Sequence, residues 1–375
     1  MGCRVTLPEP SVPRAGTPAL EGDPISANLR APVRPSRVLV YEKLRQGTFI
    51  VDALEAQGFD VELPYGPHAT LLRHARFSEE SFIELAQGFD AVLGISSARF
   101  TRRVFERLPD LKAVSKIGIG HDVVDLDAAS DLGVAVTNTP SRVEIDCVAE
   151  HAIALLLAAA KRMDFYTTSR MQSGGWLDPS VPAQALRGRV LGLIGFGRIA
   201  RAVARRLAGW EVELIAHDIS VTPGEIHQGV RMVSFDELLA QSDFVSLHSS
   251  TQAGGKPILD ANTIPKLKPG VILVNTARGL LIDQGALNTA LTSGHVAVAA
   301  LDVFEPEPPI LGEPLLDRMN LLATPHSAST VAEAEHDMEA LAVSNLVELF
   351  GGLAPEALLT SNSGRLDAAS DVSHS

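Results

Sequence analysis

From Arg37 onward, short runs of consecutive apolar residues alternate with stretches whose apolar positions recur at helical spacing. The runs predict strands at 37–42 (RVLVYE), 59–63, 89–95, 111–117 and 134–137. The spaced stretches predict helices at 49–57, ended by Gly58, and at 101–108, ended by Pro109. A longer helix is expected over 145–163, with Ser141 and Glu144 set three apart as a capping box. It reads as a spine between two lobes. A second series follows, with strands at 189–195, 211–217, 244–247, 271–275, 296–303 and 321–324. Its helices are expected at 198–207, after Ser234, at 283–294 and at 332–350, the last ended by Gly351-Gly352. Strands separated by helix-length segments imply βαβ units and parallel sheets. The fold class is therefore α/β, with two Rossmann-like or flavodoxin-like doubly wound lobes and a cleft between them. The expected division is an N-terminal arm over 1–36, an outer lobe over 37–139 plus 328–350, a nucleotide lobe over 140–327 and a loose tail over 351–375.

Composition narrows the chemistry. The chain has 375 residues, enough for two domains, with 46% apolar and 21% charged residues. A net charge of −13 argues against sequence-independent nucleic-acid binding and against an anionic membrane surface. Two cysteines, Cys3 and Cys147, give neither a disulfide framework nor metal-ligand spacing, so no metal is expected and a reducing cytoplasm is. The longest apolar run, 152–160, is far short of the roughly 20 residues that span a bilayer. The first 36 residues carry seven prolines and no apolar signal core, and read as a disordered arm. Their first six, MGCRVT, fit the loose acylation pattern.

Gly195-Phe196-Gly197-Arg198-Ile199-Ala200 fits G-x-G-x-x-G/A, directly after a predicted strand and at the start of a predicted helix. Gly195 allows the tight turn, Gly197 lets the backbone approach a pyrophosphate, and Ala200 lets helix and strand close together. The helix start offers free N–H groups to the phosphates. Asp218 follows Gly195 by 23 residues at the end of the next strand, where a carboxylate accepts ribose hydroxyls and repels a 2′-phosphate. Ile219-Ser220-Val221 supplies no cation, so NAD is favoured over NADP.

Three later strands bring polar residues to their ends: Arg278 after 271–275, Asp302 and Glu307 near the end of 296–303, and His326 after 321–324. In an open parallel sheet such ends converge on the ligand. Taken singly, each has a plain reading: a salt-bridge arginine, a strand-end histidine, a solvated loop acid. Together they suit 2-hydroxyacid/2-ketoacid redox chemistry. Arg278 can hold the carboxylate and carbonyl with its planar fork. His326 can exchange the proton of the C2 oxygen, and Glu307 beside it would favour the imidazolium. Asp302 is expected to bond the nicotinamide carboxamide or ribose. His68, His74 and His227 read as loop or surface residues, and His151 as a satisfied core or interface residue.

On these segments the chain resembles the D-isomer-specific 2-hydroxyacid dehydrogenases, especially the phosphoglycerate dehydrogenase and hydroxypyruvate reductase branch. The resemblance runs from about Arg37 to Phe350. It is carried by GIGHDVVD at 118–125, VAEH at 148–151, the Gly195 turn, NTARG at 275–279, LDVF at 301–304 with Glu307-Pro308, and TPH at 324–326. It implies Arg278, Glu307 and His326 as the catalytic set. It implies Arg198, Ile199, Asp218, Ser249, Thr276 and Asp302 as cofactor contacts, and the N–H groups of Ile119-Gly120 as holders of the substrate carboxylate. It also implies a homodimer joined through the nucleotide lobe and spine helix. Some positions depart. The arginine often found after the third outer strand is displaced, since 95–99 reads ISSAR. Lys116-Ile117 stands where Arg-Ala is frequent. A phosphorylated substrate therefore stays open, and no regulatory domain is expected after Phe350. Glu307 argues against formate as substrate. Phosphite oxidation and an NAD-sensing co-repressor are the alternatives to a 2-hydroxyacid enzyme.

Overall fold

The computed structural model describes residues 35–42, 47–64, 77–250 and 255–361, with Gly364 and Leu366. Expectations that concern 1–34, His68 and His74 lie outside the described residues.

The first sheet has five parallel strands: β1 (Arg37–Val40), β2 (Asp60–Glu62), β3 (Ala91–Gly94), β4 (Ala113–Lys116) and β5 (Ala135–Thr137). Their spatial order is β2-β1-β3-β4-β5, a doubly wound arrangement with its reversal between β1 and β3. Helices α1 (Gly47–Glu55), α2 (Glu79–Leu85), α3 (Arg102–Arg107) and α4 (Leu126–Asp131) connect these strands. Strands β3 and β4 are buried at every position, which is why they read as unbroken apolar runs rather than as alternation.

Helix α5 (Arg142–Ala160) leads, through the short α6 (Thr168–Gln172), to the second sheet. Its strands are β6 (Val190–Ile194), β7 (Glu213–His217), β8 (Ile226–His227), β9 (Val230–Met232), β10 (Phe244–Leu247), β11 (Val271–Asn275), β12 (Val296–Leu301) and β13 (Leu321–Ala323). The order is β13-β12-β11-β10-β6-β7-β9-β8, all parallel apart from the β8·β9 pair. The run from β9 to β12 is the dinucleotide-binding order, reversing between β6 and β10. Helices α7 (Arg198–Arg206), α8 (Phe235–Gln241) and α9 (Gln284–Ser293) cover it. Helix α10 (Ala332–Phe350) returns to the first sheet, where Ala342 and Leu346 join a core with Val38, Val40, Leu93 and Ala113. Ser115 Oγ donates to Ala342 O at 3.1 Å in that core.

Several expected bounds shift. The spine helix stops at Ala160, not Met163, because Arg162 takes φ 57 and binds Asp164 through two nitrogens, making a turn. The capping box is half formed. Ser141 Oγ accepts from the N–H groups of Val143 and Glu144, but the Glu144 carboxyl turns away to Ile119 N. The expected loose tail over 351–375 is corrected in part. Leu359 N donates to Val136 O at 2.8 Å, and Thr360 Oγ1 accepts from Val136 N at 3.1 Å. The edge strand β5 needs partners for its backbone, and this segment supplies them.

Candidate active site

Strand register sets which loops meet. Ile194 of β6 stands level with Leu247 of β10 and His217 of β7. The Gly195 turn, His248–Ser250 and Asp218 therefore emerge side by side at the sheet reversal. Gly195 takes φ +85, and a Cβ on it would lie 2.8 Å from Ser249 N, so no side chain fits there. Nothing lies within 4 Å of the Cβ position of Gly197, which caps α7, so the approach to that helix start is open. Arg198 is exposed and Ile199 half-buried on the first turn. Asp218 ties the turn down: Oδ2 accepts from Phe196 N at 2.8 Å, and Oδ1 from Ser220 N and Oγ. Burial alone would raise this carboxyl, but the Ser220 and Phe196 donors hold it below its ordinary range. Ser249 Oγ donates to Ser250 O at 2.8 Å.

A second set of ends is level at Asn275, Leu301 and Ala323. Beyond them lie Thr276, Arg278, Asp302 and the 324–328 turn. Asn275 fixes the first turn, accepting from Ala277 N and donating to Arg278 O. Thr276 is buried, and its hydroxyl is enclosed without a hydrogen-bond partner. Asp302 is fully buried; Oδ1 accepts from Thr324 Oγ1 (2.5 Å) and Ser327 N (2.9 Å), and Oδ2 from Ala328 N (3.0 Å). Burial pushes this carboxyl up, yet His151, Thr324 and the two N–H groups bring it down to about 2. These contacts build the turn that carries His326. His151 completes that network, with Nε2 3.1 Å from Thr324 Oγ1.

His326 is half exposed at φ 49, its N–H held by Asp302 O at 2.8 Å. Its Nδ1 is 2.8 Å from Glu307 Oε2, while Glu307 Oε1 accepts from Phe304 N at 3.0 Å. Burial raises the Glu307 carboxyl, but the His326 hydrogen bond and charge, the Phe304 N–H and the Arg278 charge outweigh it, leaving it below its ordinary range. Arg278 reaches across to the first sheet. Its Nε meets Asp122 Oδ2 at 2.5 Å, and its Nη2 occupies the space a Cβ on Gly120 would take. Ile119 N faces Glu144 Oε1 at 3.4 Å. Sequence reasoning noted Lys116 as a departure, Glu144 as a helix cap and Asp122 within 118–125, but gave Asp122 and Glu144 no place beside Arg278 and Ile119. Only the spacing of Asp122, two residues after Gly120, was a signal.

The chain is similar to known proteins over most of its length. Residues 153–328 match the sequence model of the D-isomer specific 2-hydroxyacid dehydrogenase NAD-binding domain. A glyoxylate reductase from Korarchaeum cryptofilum is 36% identical over 286 residues, covering 75% of this chain and 86% of that protein. The chain belongs to the D-isomer specific 2-hydroxyacid dehydrogenase family. The family member D-3-phosphoglycerate dehydrogenase of Archaeoglobus fulgidus is 34% identical over 318 residues, 84% of this chain and 58% of that protein. The chain thus spans little more than half the length of that relative. The crystal structure of a glyoxylate reductase from Paecilomyes thermophila superposes with TM-score 0.74 at 30% identity, over 88% of this chain and 98% of that one. The cofactor of the matched domain is NAD. The chain fits it: a turn without a side chain at Gly195, an open helix start at Gly197, an unpartnered Thr276 hydroxyl and an anionic Asp218. Among the described residues, no group of three His, Cys, Asp or Glu could hold a metal ion, and no helix is long and apolar enough to cross a membrane.

Proposed function

We propose that this family member is a dehydrogenase that interconverts a small D-2-hydroxyacid and its 2-ketoacid with NAD. The observation that carries the reading is the His326–Glu307 hydrogen bond at 2.8 Å, made within range of the Arg278 charge. NAD, when bound, supplies or takes the hydride at C2. His326 is held through Nδ1, so Nε2 is the nitrogen that exchanges a proton with the C2 oxygen. The anionic Glu307 balances the imidazolium and fixes the ring's orientation. Arg278 takes the substrate carboxylate, helped by the N–H groups of Ile119 and Gly120. Arg198, Ile199, Asp218 and Ser249 bear on the adenosine and phosphate side of the cofactor, and Thr276 on its nicotinamide side. Asp302 keeps acceptor capacity on Oδ2, which receives a single N–H.

In the same reading the substrate lobe is 37–139 with 328–350, the nucleotide lobe is 140–327, and two copies join through the spine helix. Exposed Met163, Met171, Trp176 and Leu177, just beyond that helix, support the last point. The two cysteines suit a reducing cytoplasm. The test is oxidation of NADH and NADPH, side by side, with glyoxylate, pyruvate, hydroxypyruvate and phosphohydroxypyruvate. Turnover with NADH preferred is expected, with Arg278→Ala and His326→Ala each lowering kcat/KM by about 10²–10⁴-fold. No turnover of any of the four by the unaltered protein overturns the reading.

A further inference from the structure

Arg278 follows β11 of the second sheet, and its guanidinium ends against Gly120 and Asp122, which follow β4 of the first. Asp122 has no part in the mechanism above. A guanidinium carries five N–H bonds in one plane: one on Nε, two on Nη1 and two on Nη2. Nε donates to Asp122 Oδ2 at 2.5 Å, and Nη1 donates to the carbonyl of Ala277 at 2.6 Å. One N–H on Nη1 and both on Nη2 are left over. The side chains of the pair are 31% and 35% exposed, so the bond is sheltered from bulk water but still reachable from the cleft.

A carboxylate takes two parallel N–H bonds from a guanidinium along one of two edges: Nε with Nη2, or Nη1 with Nη2. Asp122 occupies the first edge. The second stays available, and its place is set by the Gly118–Gly120 loop. A Cβ on Gly120 would lie 1.5 Å from Nη2, so loop backbone and guanidinium meet only because residue 120 has no side chain. Holding Nε also fixes the far end of a long side chain before substrate arrives, which removes an entropic cost from binding. The Asp122 carboxylate has an opposing effect as well, since it competes with a substrate carboxylate for the same cation. The two roles differ in sign. A competitor, once removed, lets substrate bind tighter; a positioning residue, once removed, lets it bind more weakly.

We propose that Asp122 is the positioning residue for Arg278: by holding Nε it presents the Nη1–Nη2 edge to the substrate carboxylate beside the Gly118–Gly120 loop. This rests on the 2-ketoacid reading of the site. The test measures kcat and KM with NADH, using whichever of glyoxylate, pyruvate, hydroxypyruvate and phosphohydroxypyruvate the unaltered protein turns over fastest. It also measures the Kd of oxamate, an unreactive 2-ketoacid analogue, on the NADH complex by NADH fluorescence. Asp122→Ala is expected to raise KM and the oxamate Kd by about 10–100-fold, the size of a hydrogen bond to a charged group, with NADH affinity unchanged. Asp122→Asn keeps an oxygen acceptor for Nε and is expected to recover at least ~3-fold of that loss. Combined with Arg278→Lys, which leaves no planar fork to aim, Asp122→Ala is expected to lower kcat/KM by less than ~2-fold. Unchanged or tighter binding in Asp122→Ala makes Asp122 a bystander or a competitor and overturns the proposal. An equal loss with and without Arg278→Lys means that Asp122 acts on the fold and not through the guanidinium, which overturns it too. If Asp122→Ala does not fold, Asp122→Asn decides by the same two signs: KM raised with Arg278 in place, and unmoved with Arg278→Lys. Each of these outcomes leaves the 2-ketoacid reading standing. Absence of turnover with all four acids removes that reading and this inference with it.

Discussion

Arg278 meets a carboxylate before any substrate does. Its Nε is taken by Asp122, and the Ile119 N–H expected for the substrate faces Glu144, so a protein carboxyl lies against each of the two donors. Neither contact was legible in the sequence, because Asp122 and Arg278 are 156 residues apart and only the closing of two sheets brings them together. That Arg278, Glu307 and His326 lie at one end of the sheet was legible, since each follows an apolar strand within a few residues and the parallel topology aligns strand ends. Asp302 shows what that logic leaves out: beyond standing at a strand end, its carboxylate takes two N–H groups and a hydroxyl of its own fold. Its carboxyl, near 3.9 in an unfolded chain, is depressed to about 2. The stabilisation is therefore complete above about pH 4 and is lost as pH falls through about 2. Asp302→Asn is expected to cost about 2–3 kcal/mol at pH 7, measured by denaturant unfolding. The gap between the two proteins should narrow from pH 4 downward; a gap independent of pH would count against a charged role.

At the scale of elements, the unbroken apolar strands were the most legible part. Positions 244–247, 271–275 and 332–350 fold with the bounds their pattern suggests. The short pieces α6, β8 and β9 were invisible, being too brief to show a period. The start of α5 matters beyond helix stability, because its first turn carries Glu144 to Ile119 of the Gly118–Gly120 loop. Ser141 holds that turn by accepting two N–H groups, and its hydroxyl also bonds the Asp337 carboxylate of α10. Ser141→Ala is expected to destabilise by about 1–2 kcal/mol. Urea unfolding checks it; a loss below about 0.3 kcal/mol would mean that the cap is redundant with the packing of α5.

For the whole molecule, the decisive feature is a chain that leaves its first sheet and comes back to it. Helix α10 closes the core over β1, β3 and β4, with Ser115 and Ala342 joined across 227 residues of chain. Leu346, fully buried there, is expected to cost about 2–5 kcal/mol when cut to Ala, read from the shift of the denaturation midpoint. The segment after α10 has a further effect. Open sheet rims invite foreign strands, and this sheet protects both of its own. One rim, β2, is three residues long with Asp60 and Glu62 turned outward. The other is covered by the protein's own 357–360, through Leu359 N on Val136 O and an antiparallel bridge from Leu358 to Thr137. A clip that loosened those last residues would uncover β5, so self-association into cross-β aggregates should follow cleavage there sooner than any loss of helix.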